Sequence, residues 1–174
     1  KWVKLPRFLR AINNRFADVA LVPLSHAERI NTTIMPLSKQ SYAGQVLLFY
    51  ETDILLGGHG SAMANVFFMR PGTALIECNP PYFFEMCFAN IAFISRVHYI
   101  SVTNYNRTYV PSYLKKADAL YEKGTFFLYR RKYAAFNIYP NVLSVVAAVE
   151  DAYEVVARNR YVFAQNDRWS RVFY

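Results

Sequence analysis

The sequence ETDILLGGHGSAMANVFFMRPGTALIE, at residues 51–77, decides the fold of this chain. Its apolar run Ile54–Leu56 has no polar alternation, which predicts a strand covered on both faces, as in a parallel sheet. The glycine-rich turn GGHG follows, and Ser61 is predicted to cap the helix that begins there. Residues 73–76 predict a second strand, with Glu77 at its carboxyl end. Strand, turn, helix and strand in this order are typical of an α/β fold.

The glycine turn and the helix after it are suited to binding a phosphate. Glycines leave peptide N–H groups open to close approach, and the first turn of a helix carries a partial positive charge of roughly half an elementary charge. A diphosphate fits there, and Glu77 at the sheet edge can accept hydrogen bonds from two ribose hydroxyls. The alternatives are a turn without a ligand, His59 as a structural hydrogen-bonding group, and Glu77 as a solvated strand end.

Strands and helices alternate along the chain, which predicts parallel strands joined by right-handed crossovers. The predicted elements besides those above are a basic helix over 6–16, a strand over 19–22, a helix over 41–50 with Val46, Leu47 and Phe49 facing the sheet, a largely buried helix over 84–94, and a strand over 99–102. A final helix is predicted from the cap Asn141 to about residue 158, with one apolar face of Val142, Val145, Val146, Val149, Ala152, Tyr153 and Val156.

Several segments resemble the C-terminal signature of the family 61 glycosyltransferases. These segments are residues 45–49, 53–65, 68–72 and 74–77, with weaker similarity at residues 7–14 and 97–101. The most specific part is the His-Gly-Ser-Ala core that begins at His59, because a Pro-Gly pair and Glu77 follow it at the family's distance. The family includes plant xylosyl- and arabinosyltransferases and animal enzymes that add N-acetylglucosamine to proteins.

The resemblance implies the Rossmann-like C-terminal half of a two-domain GT-B enzyme that needs no metal. The implied donor is a nucleotide sugar, with a uridine diphosphate sugar favoured, and the acceptor is a protein or polysaccharide. The implied core covers residues 1–102, and residues 103–174 form an aromatic and basic extension whose closing helix packs on the same domain. The residues that the resemblance assigns to donor binding are Arg10, Gly58, His59, Gly60, Ser61 and Glu77, with Arg10 making a forked contact to the phosphates.

Length leads to a second hypothesis. A chain of 174 residues can bury the core of one domain, whereas a GT-B enzyme needs a second domain for its acceptor and usually its catalytic base. The chain begins at Lys1, and we expect it to be processed, trimmed or partly represented. The alternative function is a non-catalytic, glycosyltransferase-derived structural or interaction subunit of a larger assembly. Ala11 and Ala62-Met63 favour this alternative, because family members commonly have a basic residue and Gly-Leu there.

The formal charge of +8 is concentrated in residues 1–16 and in the basic residues of segment 115–132, which lie among aromatic side chains. Basic residues interleaved with aromatics can bind nucleic acid. Basic side chains lying over an aromatic docking surface are the favoured interpretation, so nucleic acid is not an expected partner. Aromatics make up 17% of the chain, and we expect the other half or another subunit to cover some of them.

Features relevant to the compartment are sparse. No run of about 20 apolar residues predicts a membrane span, and the N-terminus has no signal peptide. Cys78 and Cys87 can pair if the intervening loop folds back. Asn31 and Asn106 begin glycosylation sequons, which would fit a secreted or luminal protein. The family resemblance implies the lumen of the secretory pathway, and an organellar or other large complex is the alternative.

Overall fold

The computed structural model describes residues 11, 24–25, 35–36, 40–80, 85–103, 138 and 140–165. Its strands, in chain order, are β1 (Leu24–Ser25), β2 (Met35–Pro36), β3 (Ile54–Gly58), β4 (Ala74–Asn79) and β5 (His98–Thr103). The first two pair in parallel as a short separate ladder. The other three form a parallel sheet in the order β3-β4-β5. With helices on both faces, this sheet confirms the predicted α/β, Rossmann-like fold class.

The helices are α1 (Tyr42–Glu51), a 3₁₀ helix (Ser61–Phe68), α2 (Cys87–Ile94) and α3 (Val142–Gln165). The Ser41 side chain caps α1 by accepting from the Gly44 N–H at 3.1 Å. Asn141 Oδ1 accepts from the Leu143 N–H at 2.9 Å, which confirms the predicted cap of the last helix. That helix runs beyond residue 158 to Gln165. No helix in the described ranges is both long and apolar enough to cross a bilayer.

One face of the sheet packs against α3. Ala74, Ile76 and Cys78 of β4 are fully buried there with Val102 of β5. The α3 side chains in the same cluster are Val145, Ala148, Val149, Ala152 and Val156, with Val142 partly buried. The predicted apolar face of this helix is therefore largely confirmed. Tyr153 is the exception, since it is 49% exposed.

The opposite face packs against α1, the 3₁₀ helix and α2. Its buried cluster contains Phe49, Leu55, Met63, Val66, Met69, Leu75, Phe88, Ala92 and Val97. Leu55 lies in this cluster, whereas Ile54 and Leu56 pack on the α3 side, so β3 is covered on both faces as predicted.

Two expectations about helix faces are wrong. Leu47 is 55% exposed, and Leu48 packs on the core in its place. The helix α2 is not largely buried at its end, because Phe93 and Ile94 are 83% and 73% exposed. In both helices the buried stripe is narrower than the apolar content of the sequence indicates.

Several distant segments tie the amino end of the sheet together. The Gly72 N–H donates to the Arg96 carbonyl at 2.9 Å, and the Asn159 side chain donates to the Gly72 carbonyl at 3.0 Å. Gly72 has a φ of 83°, a left-handed conformation that favours glycine. The Arg70 guanidinium donates to the Asp53 carboxylate at 2.8 Å. We call these five residues the amino-end knot.

The two cysteines do not pair. Cys78 and Cys87 are free thiols. Cys78 points into the cluster under α3, whereas Cys87 begins α2 on the opposite face, so the sheet separates them. Within the predicted helix over 6–16, the structure describes Ala11 alone, in helical conformation. The predicted strand over 19–22, the sequons and the basic segment 115–132 lie outside the described residues.

Candidate functional site

The glycine turn begins one residue later than the sequence indicates. The strand β3 runs through Gly57 and Gly58, and its pairing with β4 continues at His59, whose N–H donates to the Cys78 carbonyl at 2.9 Å. That N–H is therefore used within the sheet and is not open to a ligand. Gly57 is needed for packing, because a Cβ at this position would lie 2.2 Å from Met63 Cε.

The helix after the turn is a 3₁₀ helix that starts at Ser61. The prediction that Ser61 caps it is wrong, because Gly60 occupies the cap position and no side chain makes a cap hydrogen bond. The first helical hydrogen bond runs from the Met63 N–H to the Gly60 carbonyl at 2.9 Å. The N–H groups of Ser61 and Ala62 precede this bond, and Ser61 is exposed. The helix thus presents its positive end at the protein surface.

Glu77 lies inside β4 and not at its end. The strand continues to Asn79, and the Glu77 side chain has no exposed surface. Its Oε1 lies 2.5 Å from His59 Nδ1. Its Oε2 accepts from the Tyr99 hydroxyl at 2.6 Å. A buried carboxylate costs free energy unless its oxygens are hydrogen-bonded, and here each oxygen has a partner. The expectation of a strand-end carboxylate is therefore wrong.

The parallel register explains how these groups meet. Gly57 of β3 is aligned with Glu77 of β4 and with Ser101 of β5. Side chains alternate along β4, so Glu77 and Asn79 share the face on which Leu75 joins the apolar cluster. His59 follows β3 on the same face, and its ring centroid lies 5.2 Å from that of Phe88. Polar side chains from three neighbouring segments thus converge at the carboxyl end of the sheet.

Burial controls the ionisation of two groups beside Glu77. Burial and, next, the hydrogen bond with Glu77 raise the pKa of Tyr99 above its ordinary value of 10.0. Tyr99 is therefore a neutral hydrogen-bond donor at physiological pH. Burial, with a smaller contribution from the Glu77 charge, raises the pKa of the Cys78 thiol to about 12. Cys78 is thus a structural thiol and not a nucleophile.

Asn79 extends the polar cluster toward β5. Its side-chain N–H donates to Ser101 Oγ at 3.0 Å. Its Oδ1 is buried and has no hydrogen-bond partner among the described residues. The residue as a whole is 2% exposed. Such an unused buried acceptor is uncommon in folded proteins.

The structure brings together most of the residues predicted to bind the donor. Gly58, His59, Gly60 and Ser61 are consecutive, and His59 contacts Glu77. Arg10 lies outside the described residues. Binding of ribose hydroxyls by Glu77 stays a prediction, and a hydroxyl would have to replace a protein group on one of its oxygens. In the described ranges, no three His, Cys, Asp or Glu side chains are grouped to hold a metal ion.

Sequence reasoning missed Tyr99, Ser101 and Asn79. The signal was available in the alternation of β5, where Tyr99 and Ser101 occupy one face and Ile100 and Val102 the other. Aligning this strand with β4 would have placed Ser101 beside Glu77. The register between the two strands, however, is not encoded in either strand alone.

The geometry agrees with a comparison of the sequence against protein families. The family model Glycosyltransferase 61 matches residues 7–76, which is less than half of the chain. The matched segment includes Arg10 and the turn from Gly58 to Ser61, and it ends one residue before Glu77. No curated protein matches the chain. Through residues 7–76, the chain belongs to glycosyltransferase family 61, as the sequence resemblance predicts.

Proposed function

We propose that this chain binds a nucleotide sugar and serves as the donor-binding half of a glycosyltransferase. The observation that carries the proposal is the hydrogen-bonded series His59–Glu77–Tyr99, which lies at the carboxyl end of a parallel sheet beside an open helix start. Ligands of open α/β sheets bind at this end of the strands. A site of this kind suits an anionic ligand with hydroxyl groups.

In this proposal the donor diphosphate lies against the turn from His59 to Ser61. The N–H groups of Ser61 and Ala62 precede the first helical hydrogen bond, and the helix adds its positive end. The contact with Glu77 orients the His59 ring beside the turn. A protonated or neutral imidazole can donate to a phosphate oxygen, so His59 is the side chain we assign to the diphosphate.

The ribose occupies Glu77 by hydrogen-bond exchange. The Tyr99 hydroxyl donates to Glu77 Oε2 in the ligand-free protein. A ribose hydroxyl is also an O–H donor and can take that place without leaving the buried carboxylate unsatisfied. Tyr99 is half-buried, which leaves part of its ring at the surface from which a ligand would arrive.

The wider assignment follows family membership. We propose a uridine diphosphate sugar as donor, Arg10 as a further phosphate contact, and a protein or polysaccharide as acceptor. A second GT-B domain would supply acceptor binding and the catalytic base. The lumen of the secretory pathway is the proposed compartment.

A second function is favoured by one surface. Tyr42 and Phe67 are 73% and 63% exposed, and each packs edge-on against Phe68. Aromatic side chains grouped at a surface are typical of protein interfaces. A non-catalytic subunit that docks through this surface is therefore the alternative. Native mass spectrometry of the protein from its source separates the two functions, because a stable complex that binds no nucleotide supports the subunit.

The direct test is titration calorimetry of the chain with uridine diphosphate. We expect His59→Ala and Glu77→Gln each to weaken binding about tenfold or more, since each removes a hydrogen bond to a charged group. The matched controls are His98→Ala, which changes an exposed histidine of the same sheet, and Glu154→Gln, which changes an exposed glutamate of α3. Neither control should alter the affinity.

Thermal unfolding of every variant separates lost binding from lost folding. Wild-type protein that binds no uridine nucleotide, alone or joined to its partner domain, would overturn the enzyme proposal. Equal weakening by His98→Ala and His59→Ala would overturn the assignment of the site.

A further inference from the structure

One buried amide beside the proposed site uses only half of its hydrogen-bonding capacity. The Asn79 N–H group donates to Ser101 Oγ at 3.0 Å, whereas its Oδ1 has no partner among the described residues. Leaving a buried acceptor unsatisfied costs about 1–3 kcal/mol. The bond to Ser101 also fixes which end of the amide is unused. A ligand that brought an N–H or O–H group to this oxygen would recover that cost.

The order of the strands indicates which part of a nucleotide reaches Asn79. This step rests on the proposed function, in which the diphosphate lies after β3 and the ribose beside Glu77 of β4. Neighbouring strands are about 4.8 Å apart, so the base of an extended nucleotide falls one strand further on. Asn79 occupies that place, because it lies two residues beyond Glu77 on the same face and binds Ser101 of β5.

Access to the amide is controlled by Tyr99. Its hydroxyl binds Glu77 and also interacts with Ser101 and Asn79. The exchange proposed for the ribose moves this hydroxyl away from Glu77. The same movement uncovers Asn79, so one side chain covers both the ribose position and the base position.

We propose that Asn79 Oδ1 accepts a hydrogen bond from the imide N–H of uracil, and that this contact selects uridine over cytidine nucleotides. Uracil carries a hydrogen on N3, whereas cytosine has a lone pair there, which would face the lone pairs of the amide oxygen. The amide cannot turn to suit cytosine without losing its bond to Ser101. Asn79 is thus a specificity-determining residue of the nucleotide site.

The test compares uridine diphosphate with cytidine diphosphate on wild-type protein and on Asn79→Leu, which keeps the side-chain size but removes the acceptor. We expect wild type to bind the uridine nucleotide about tenfold more tightly, as expected where a buried acceptor would be left unpaired. In Asn79→Leu the two affinities should agree within about twofold, with the cytidine affinity unchanged. Ser101→Ala, which releases the amide, should reduce the preference partly.

A second measurement needs no variant and therefore remains decisive if Asn79→Leu does not fold. Uridine diphosphate methylated at N3 lacks the imide hydrogen and should bind wild type no better than cytidine diphosphate does. A preference for uridine that survives in Asn79→Leu overturns this inference alone, as does equal binding of the two nucleotides by wild type. Wild type that binds neither nucleotide overturns the proposed function as well.

Discussion

The two faces of β4 carry alternate residues of the same six-residue strand, yet they differ in chemistry. Ala74, Ile76 and Cys78 lie on the α3 face and contact only an apolar cluster. On the other face, Leu75 joins an apolar cluster, but Glu77 and Asn79 hold polar partners. The polar groups occur on one face only, and only toward the carboxyl end.

The difference between the faces separates stability from function. A strand buried on both faces gains most from apolar side chains. Glu77 and Asn79 break that pattern and need Tyr99, Ser101 and His59 to satisfy them. Sites where local rules are broken and then compensated are expected to be functional. The α3 face therefore holds the sheet together, and the opposite face carries the ligand chemistry.

The largest effect is expected on the apolar face. Ile76→Ala should lower the free energy of unfolding by about 2–5 kcal/mol, because it leaves a cavity in a fully buried cluster. Nucleotide affinity should be unchanged at temperatures where the variant is folded. Urea unfolding and uridine diphosphate titration measure the two quantities. A variant that keeps its stability but loses binding would break the division between the faces.

A smaller effect is expected on the polar face. Tyr99→Phe removes the donor to Glu77 Oε2 and should cost about 1–3 kcal/mol of stability, because it leaves a buried carboxylate oxygen unpaired. Tyr42→Phe, at a position 73% exposed, is the matched control and should change stability by less than about 0.5 kcal/mol. Urea unfolding of both variants provides the comparison, and equal losses would show that Glu77 does not depend on Tyr99.

The pH dependence sharpens the same comparison. The pKa of Tyr99 is raised in the folded protein, so the tyrosine of the unfolded chain loses its proton first as pH rises above 10.0. Its contribution is complete below that pH and declines toward the folded pKa. The stability difference between wild type and Tyr99→Phe should therefore narrow above pH 10.0. A difference that is constant from pH 8 to pH 11 would contradict the hydrogen bond to Glu77.

The smallest effect concerns the glycine turn. In Gly57→Ala the new Cβ meets Met63 Cε, and a destabilisation of about 1 kcal/mol is expected because the end of a methionine can shift. In a Met63→Ala background the same change should cost almost nothing, as measured by a double-mutant cycle. An equal cost in both backgrounds would mean that backbone conformation, and not the Met63 contact, requires glycine.

Much of the framework was predictable from local sequence. The apolar run Ile54–Leu56 identified a strand covered on both faces, and Asn141 identified the start of the last helix. Both signals are local, since one is a run of side chains and the other is a cap that bonds two residues away. The parallel arrangement followed from the alternation of strands with helices.

The candidate site was predictable only in part. A carboxylate after an apolar run normally marks a strand end, because few buried strands include one. Glu77 is buried within β4 because Tyr99, 22 residues further along, supplies a donor. The cap at Gly60 depends on a 3₁₀ helix in place of an α-helix, and the turn residues do not distinguish the two. These features arise from contacts between segments and not from any one segment.

The amino-end knot sets where this sheet can move. Gly72 receives hydrogen bonds from, or gives them to, segments that begin 24 and 87 residues away in the chain, at Arg96 and Asn159. Opening one of these amides to solvent requires the others to separate, so hydrogen–deuterium exchange should be slowest there. The opposite end has single contacts that can be exchanged one at a time. The domain thus behaves as a fan held at its pivot, whose free ribs can spread to admit a guest.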